Sequence, residues 1–491
     1  VDAAGAKRRD TPARARVFAY QRRAPETSLL YETVRANLKT VLAELDGDSG
    51  AGLPRFVISD FERYLRCGVL AHGFARVRCG ACGDELLVAF SCKSRGICPS
   101  CTTRRMQGTA LQLVDKVLPA VPTRQWVLSL PRWARFLLAR DPALITRTLE
   151  LALRAIFTWQ RKRARGQGVA CSRTGAVTFV QRFGGALNLN VHFHCVLPDG
   201  VWVREAGALR FVKLDKPADA EVQEILLRIE RRVRKLLKPR VEASRDDART
   251  PDALALSQAE SVSALRGKPV DARQAKPLTG FHQGFSLHAG VHLHANDREG
   301  LMHLCGYGAR PPLTQERLSS LPDGKLAYRL KRPLADGRDA LVLEPSELIR
   351  RLATLVPPPR AHLVRYHGVF GPASKWRSEV IPKPATPVPS CGPAPRAEPV
   401  PSGEAKEERR PSTIPWSELL LRVFREDVLA CPCGGRRVVT AFITEKKVIE
   451  QILGHLGIPA TGPPVAPARV SAAQDCAGWQ DDVPELQQAL H

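Results

Sequence analysis

The sequence predicts an α+β protein: an N-terminal zinc ribbon, an antiparallel-sheet domain with helices, a proline-rich linker and a small C-terminal module. Three observations predict it. Segments of helical periodicity recur around 29–45, 107–165 and 220–238. Strand-like alternation, with hairpin turns, occupies 176–203, 278–294 and 326–343. Four cysteines between Cys79 and Cys101 have the spacing of a zinc ribbon.

The elements follow in order. Residues 1–50 hold a basic start and one helical pattern through Leu29, Leu30, Val34, Leu38, Val41, Leu42 and Leu45. Residues 51–125 read as the zinc-binding domain, and 126–379 as the main domain. Residues 107–165 read as mostly helical, with the basic end Arg161, Lys162, Arg163 and Arg165. Ala176–Phe183 is rich in Val, Thr and Phe, and Val191–Leu197 alternates. Pro198-Asp199-Gly200 is a turn, because Pro presets φ and Gly accepts a positive one, so 191–203 is a hairpin. A basic helix spans 220–238. Asn296-Asp297 offers an N-cap to a short helix near 298–307, which Gly308 and Pro311-Pro312 end. A second hairpin turns at Asp336-Gly337. Residues 380–415 are a proline-rich linker, 416–460 a small module and 461–491 a loose tail.

Composition bounds the function. The chain has 491 residues, 44% hydrophobic and 25% charged, which excludes wholesale disorder. No apolar stretch is long enough to span a membrane, and Val1–Arg9 is too polar for a secretory signal. Lys and Arg number 74 against 49 Asp and Glu, a formal net charge of +25. Such a surplus attracts polyanions through long-range field and counterion release, nucleic acid above all. The thirteen cysteines are an odd count in a long chain, with five inside Cys79–Cys101, so they read as metal-binding rather than disulfide-forming.

Cys79-Gly-Ala-Cys82 and Cys98-Pro-Ser-Cys101 are separated by fifteen residues. Two such knuckles place four thiolates around one ion, with Zn–S near ~2.3 Å, and leave no open position. The predicted zinc is therefore structural, held by Cys79, Cys82, Cys98 and Cys101. Cys92 is a spare that could replace one of them, and Cys67 reads as a small buried hydrophobe. Lys93, Arg95, Arg104 and Arg105 flank the knuckles and suit phosphate contact. Cys431-Pro-Cys433 is too short for an ordinary knuckle and reads as metal-free.

His192-Phe193-His194 lies in an alternating strand, where residues i and i+2 share a face. Both imidazoles then project together as a half-site for a divalent ion, with Phe193 and Cys195 on the opposite side. His288, or Gln181, could supply a third ligand. His292-Leu293-His294 repeats the pattern and competes with the first pair. Tyr307, one of six tyrosines, sits on the capped helix beside Gly308 and Arg310.

Three stretches in order, Cys79–Met106, Leu187–Trp202 and His303–Leu318, resemble the insertion sequence 91 family of rolling-circle transposases. That family belongs to the HUH class, and the resemblance is closest to its single-tyrosine branch. The resemblance implies an antiparallel sheet carrying the histidine strand, packed against the tyrosine helix. It implies that His192 and His194 hold Mg²⁺ or Mn²⁺ against a scissile phosphate. Tyr307 would attack single-stranded DNA at transposon ends and form a 5′-phosphotyrosine. It also implies a bacterial cytoplasmic, nucleoid-associated protein.

Two-tyrosine relatives carry Tyr-x3-Tyr, but the position four before Tyr307 is His303, and Tyr366 is a distant second candidate. Gly306 stands where a basic residue is expected. No G-x-x-x-x-G-K-[ST] occurs, so strand separation would need a host helicase. Two other readings compete: a zinc-ribbon regulator without catalysis, and a plasmid replication initiator or relaxase. A three-carboxylate transposase is disfavoured, since no carboxylate trio stands out.

Overall fold

The computed structural model describes residues 16–17, 23–49, 52–246, 253–263, 276–334, 336–383, 415–424 and 426–469. Most of the expected linker and much of the tail lie outside the described residues. The principal elements run as follows: α1 Leu29–Ser49, α2 Arg55–Arg66, β1 Phe74–Cys79, β2 Glu85–Ala89, α3 Pro99–Lys116, β3 Thr123–Ser129, α4 Arg132–Arg140, α5 Pro142–Gly166, β4 Gly175–Phe183, β5 Leu189–Pro198, β6 Gly200–Glu205, β7 Ala208–Lys213, α6 Asp219–Asp246, β8 Thr279–His282, β9 Phe285–Leu293, α7 Arg298–Gly308, β10 Leu326–Arg329, β11 Ala340–Leu343, α8 Pro345–Leu355, β12 Val364–Gly368, β13 Arg437–Ile443 and α9 Lys446–His455.

The chain divides into two compact units. The larger takes residues 26–66, 92–383 and 463–469 of the described chain. Its centre is a six-stranded sheet in the order β8-β9-β3-β5-β4-β12, with every pairing antiparallel. Strand alternation gives this sheet two apolar faces. One face carries Trp126, Leu128, Val180, Val191, Phe193, Leu197 and Leu287, packed with side chains of α4, α5 and α6. The other carries Val177, Phe179 and Val196, packed with Ala110, Leu113 and Val114 of α3 and Leu301 and Cys305 of α7.

Residues 107–165 are mostly helical, as the sequence reads, but β3 interrupts them and was not foreseen. Thr123–Ser129 lies between β9 and β5, with Trp126 and Leu128 turned to the α5 side. Helical segments on both sides conceal its short apolar alternation.

The two compact units divide the expected zinc-binding segment, 51–125, between them. α2 and α3 belong to the larger unit. Asp60 accepts from Ser94 Oγ at 2.7 Å and from the Ile97 amide at 3.2 Å. Arg298 of α7 donates to the carbonyl oxygens of Leu118, at 3.0 Å, and Val114 near the end of α3. These bonds and the shared apolar cluster hold α3 beneath α7.

The smaller unit joins Cys67–Ser91 to residues 415–462. Its sheet has the order β13-β1-β2, so a C-terminal strand pairs with β1, which becomes the central strand. Leu70, Phe74, Ile449 and Leu453 form its core, joining the N-terminal hairpin to α9. The small module expected at 416–460 shares this unit with the hairpin. Ile449 and Leu453 pack there with Leu70, Phe74, Leu87 and Ala89 as well as with Ile443 and Ile452 of their own segment.

Candidate functional site

The site is built on β5. Residues 192 and 194 alternate with Val191, Phe193 and Cys195, which fill the α5-side core. The two imidazoles therefore share the opposite face, with ring centroids 4.9 Å apart. His192 is 8% exposed and His194 4%. Nδ1 of His192 donates to the Asn190 carbonyl at 2.8 Å, which leaves Nε2 as an acceptor. Both ring nitrogens of His194 are buried without a hydrogen-bond partner. Burial depresses both rings, His192 to about 4 and His194 to about 3, with Arg310 adding to each shift. Both are neutral near pH 7, the state in which imidazole ligates a metal.

Tyr307 arrives on α7. Asp297 caps this helix, accepting from the Gly300 amide at 2.8 Å. The helix closes on β4 at Gly308, where a Cβ would stand 2.5 Å from the Phe179 ring. The Tyr307 ring then meets the His194 ring edge-on, with centroids 5.6 Å apart. Tyr307 remains 45% exposed. Arg310 lies over the ring at 4.6 Å and Lys331 at 6.0 Å.

Gln181 joins the helix end to the histidines. It sits opposite His192 in the β4–β5 register. Its amide nitrogen donates to the carbonyls of Tyr307, at 2.8 Å, and Gly308, at 2.9 Å. Those two acceptors fix the amide orientation. Oε1 is left buried with no hydrogen-bond partner. Orphaned acceptors on Gln181 and His194, beside the free Nε2 of His192, are what a divalent cation would satisfy. His288 is in register with Val127, which pairs with His194, so it stands two strands away, roughly 10 Å.

The competing pair lies elsewhere. His292 Nε2 is 3.5 Å from Asp199, at the turn that ends β5. Asp199 is already held by a buried ion pair with Arg124, at 2.6 Å. His303, four residues before Tyr307, is exposed beside Glu299. Tyr366 packs into the apolar cluster under α7, and burial raises its pKa. A Cβ at Gly306 would meet nothing within 4 Å, so a larger residue there has room.

The cysteines depart from the predicted set. Cys79 and Cys82 belong to the smaller unit, and Cys98 and Cys101 to the larger. Sulfurs of Cys92, Cys98 and Cys101 lie within 4.8 Å of one another and could share an ion, the alternative that the sequence left open for Cys92. Sulfurs of Cys79 and Cys82 lie within the same distance of those of Cys431 and Cys433. Sequence proximity suggested a fifteen-residue partner, whereas β13 brings one from the other end of the chain.

The flanking basic residues also separate. Arg95 donates to the carbonyls of Ala361, at 2.6 Å, and Pro358, at 3.1 Å, which makes it a structural tie. Arg105 donates to the Lys93 carbonyl at 2.8 Å. Lys93 and Arg104 are exposed. Lys331, beside Tyr307, was not foreseen, because its strand-end position carries no motif.

Two family models match the chain. A transposase zinc-binding domain matches residues 40–130, and the transposase model Y2_Tnp matches 175–377. The second match spans β4, β5 and α7, and with them His192, His194 and Tyr307. No curated protein and no solved structure matches the chain. A cysteine-rich region followed by this sheet and its matched segment makes the chain a transposase. It belongs to the insertion sequence 91 family, with an N-terminal zinc-binding region. Among the described residues, no helix is long and apolar enough to cross a membrane.

Proposed function

We propose that this transposase nicks and rejoins single-stranded DNA through a covalent 5′-phosphotyrosine at Tyr307, as in rolling-circle transposition. One observation carries the reading: an exposed tyrosine stands edge-on to His194, whose two buried ring nitrogens lack partners, with His192 beside it on the same strand face.

Tyr307 Oη attacks the scissile phosphorus in line. The new O–P bond forms as the P–O3′ bond breaks. The phenol gives up its proton, and the leaving 3′-oxygen gains one. The broken strand keeps its 5′-phosphate on the enzyme, so rejoining needs only attack by a 3′-hydroxyl. His192, His194 and Gln181 Oε1 would hold Mg²⁺ or Mn²⁺. Held by these residues, the ion would supply polarisation of the phosphoryl oxygen and an offset to developing charge. Arg310 and Lys331 flank the tyrosine ring and suit the substrate backbone. Duplex transposon ends would be opened by a host helicase.

The test incubates labelled single-stranded DNA with the full chain and Mg²⁺ or Mn²⁺. A covalent adduct is expected in wild type and absent in Tyr307→Phe. Replacing His192 and His194 by Ala should leave binding and remove the adduct. An adduct persisting in Tyr307→Phe would overturn the nucleophile. Binding without any wild-type adduct would favour a regulator.

A further inference from the structure

We propose that Cys79, Cys82, Cys431 and Cys433 together bind one structural zinc ion, which ties the C-terminal strand β13 to the β1–β2 hairpin. Residues 431–433 lie far beyond the matched zinc-binding segment, 40–130. The proposal concerns a different unit from the histidine–tyrosine site and stands independently of its chemistry.

The sulfur geometry is that of a tetrahedral thiolate site. Cys79 and Cys433 sulfurs are 3.6 Å apart, as are those of Cys82 and Cys431. A tetrahedron with Zn–S near ~2.3 Å has edges of roughly 3.8 Å. Disulfides need about 2.05 Å, and all four cysteines are unpaired.

Both halves are shaped as knuckles. The Cys79 amide donates to the Asp84 carbonyl at 2.8 Å, and the Gly83 amide returns to Cys79 at 3.1 Å. Across the site, the Cys431 amide donates to Gly435 at 2.9 Å, and the Gly434 amide to Cys431 at 3.0 Å. Gly83 and Gly434 supply the positive φ of each turn, 79° and 85°. The short Cys431-Pro-Cys433 spacing is accommodated because Gly435 lets the backbone approach. A Cβ there would stand 2.8 Å from the Cys79 sulfur and 2.7 Å from Ala81. The Gly435 amide also points at the Cys433 sulfur, at 3.4 Å.

The surroundings suit an anionic centre. Zinc with four thiolates carries two negative charges. Arg437 is buried at this point, donating to the Ala430 carbonyl at 2.9 Å and pairing with Asp84 at 2.8 Å. Asp84 in turn lies 4.0 Å from the Cys431 sulfur. The guanidinium shares its charge between Asp84 and the cluster, and its bonds to Asp84 and Ala430 tie the two knuckles together.

Zinc stoichiometry of the purified full chain tests the proposal. Cys431→Ser/Cys433→Ser should lose one zinc per chain relative to wild type. Cys79→Ser/Cys82→Ser should lose the same amount, and the quadruple variant no more than either pair. Retention of the wild-type zinc content by the 431/433 variant would overturn the site, as would loss of two ions in the quadruple. Alkylation of wild type needs no variant. Cys82 and Cys433 are exposed, so only a metal protects them from a maleimide. All four cysteines should resist labelling until a chelator is added, then react together. Rapid labelling of Cys433 in zinc-loaded protein would refute the proposal.

Discussion

Gly308 shows how one missing side chain fixes the distance between Tyr307 and the histidines. Its Cα faces three atoms of the Phe179 ring, which would lie within 2.9 Å of an added Cβ. Phe179 is itself buried and opposite His194 in register, so it has little room to move. Gly308→Ala should cost about 1–3 kcal/mol through overpacking and lift the Tyr307 end of α7 from the sheet. We expect reduced adduct formation, recovered in part by a second change, Phe179→Leu. If Gly308→Ala left urea stability and adduct yield at wild-type values, the contact would not set the site. Gln181 acts on the same helix end from the sheet side, through its two bonds to the Tyr307 and Gly308 carbonyls.

At the scale of elements, α7 is presented by its two ends. Asp297 satisfies an orphan amide at the start, and Gln181 satisfies carbonyls at the finish. Asp297→Ala should lower stability by about 1 kcal/mol, read as a lower urea midpoint at unchanged slope. An unaltered midpoint would show that packing alone holds the helix. This helix and the histidine strand were legible in the sequence, because a cap residue and strict alternation are local signals. β3 was not, since a short strand buried on both faces between helices lacks a distinctive period. Cysteine pairing was illegible for a different reason. Knuckle spacing says which cysteines turn inward together, but the partner knuckle is chosen by sheet pairing. That choice depends on β13, more than three hundred residues away along the chain. Gln181 was nameable only as one of two third ligands, until the register set it across from His192.

Across the whole molecule, the net charge of +25 is partly spent internally. On α6, Arg228, Arg234 and Lys238 pair with glutamates of the same helix, whereas Arg231, Arg232 and Lys235 are exposed. Exposed cations of this kind contribute to binding by releasing counterions. If about five phosphates of single-stranded DNA are neutralised, affinity should fall roughly 100-fold between 50 and 200 mM salt. Fluorescence anisotropy with a labelled oligonucleotide measures this directly. Affinity that hardly changed over that range would mean the surplus charge faces no DNA.

The sheet order β13-β1-β2 also sets a schedule for the newborn chain. β1 and β2 are made first, but the strand that flanks β1 on its other side follows more than three hundred residues later. Cys79 and Cys433 are 354 residues apart, which at roughly 5–20 residues per second is a wait of about 20–70 s. Throughout that interval the hairpin presents an open edge and two unmatched thiols. Its completion therefore reports that translation has passed residue 443, and a transcript truncated before that point yields a chain whose smaller unit lacks its third strand.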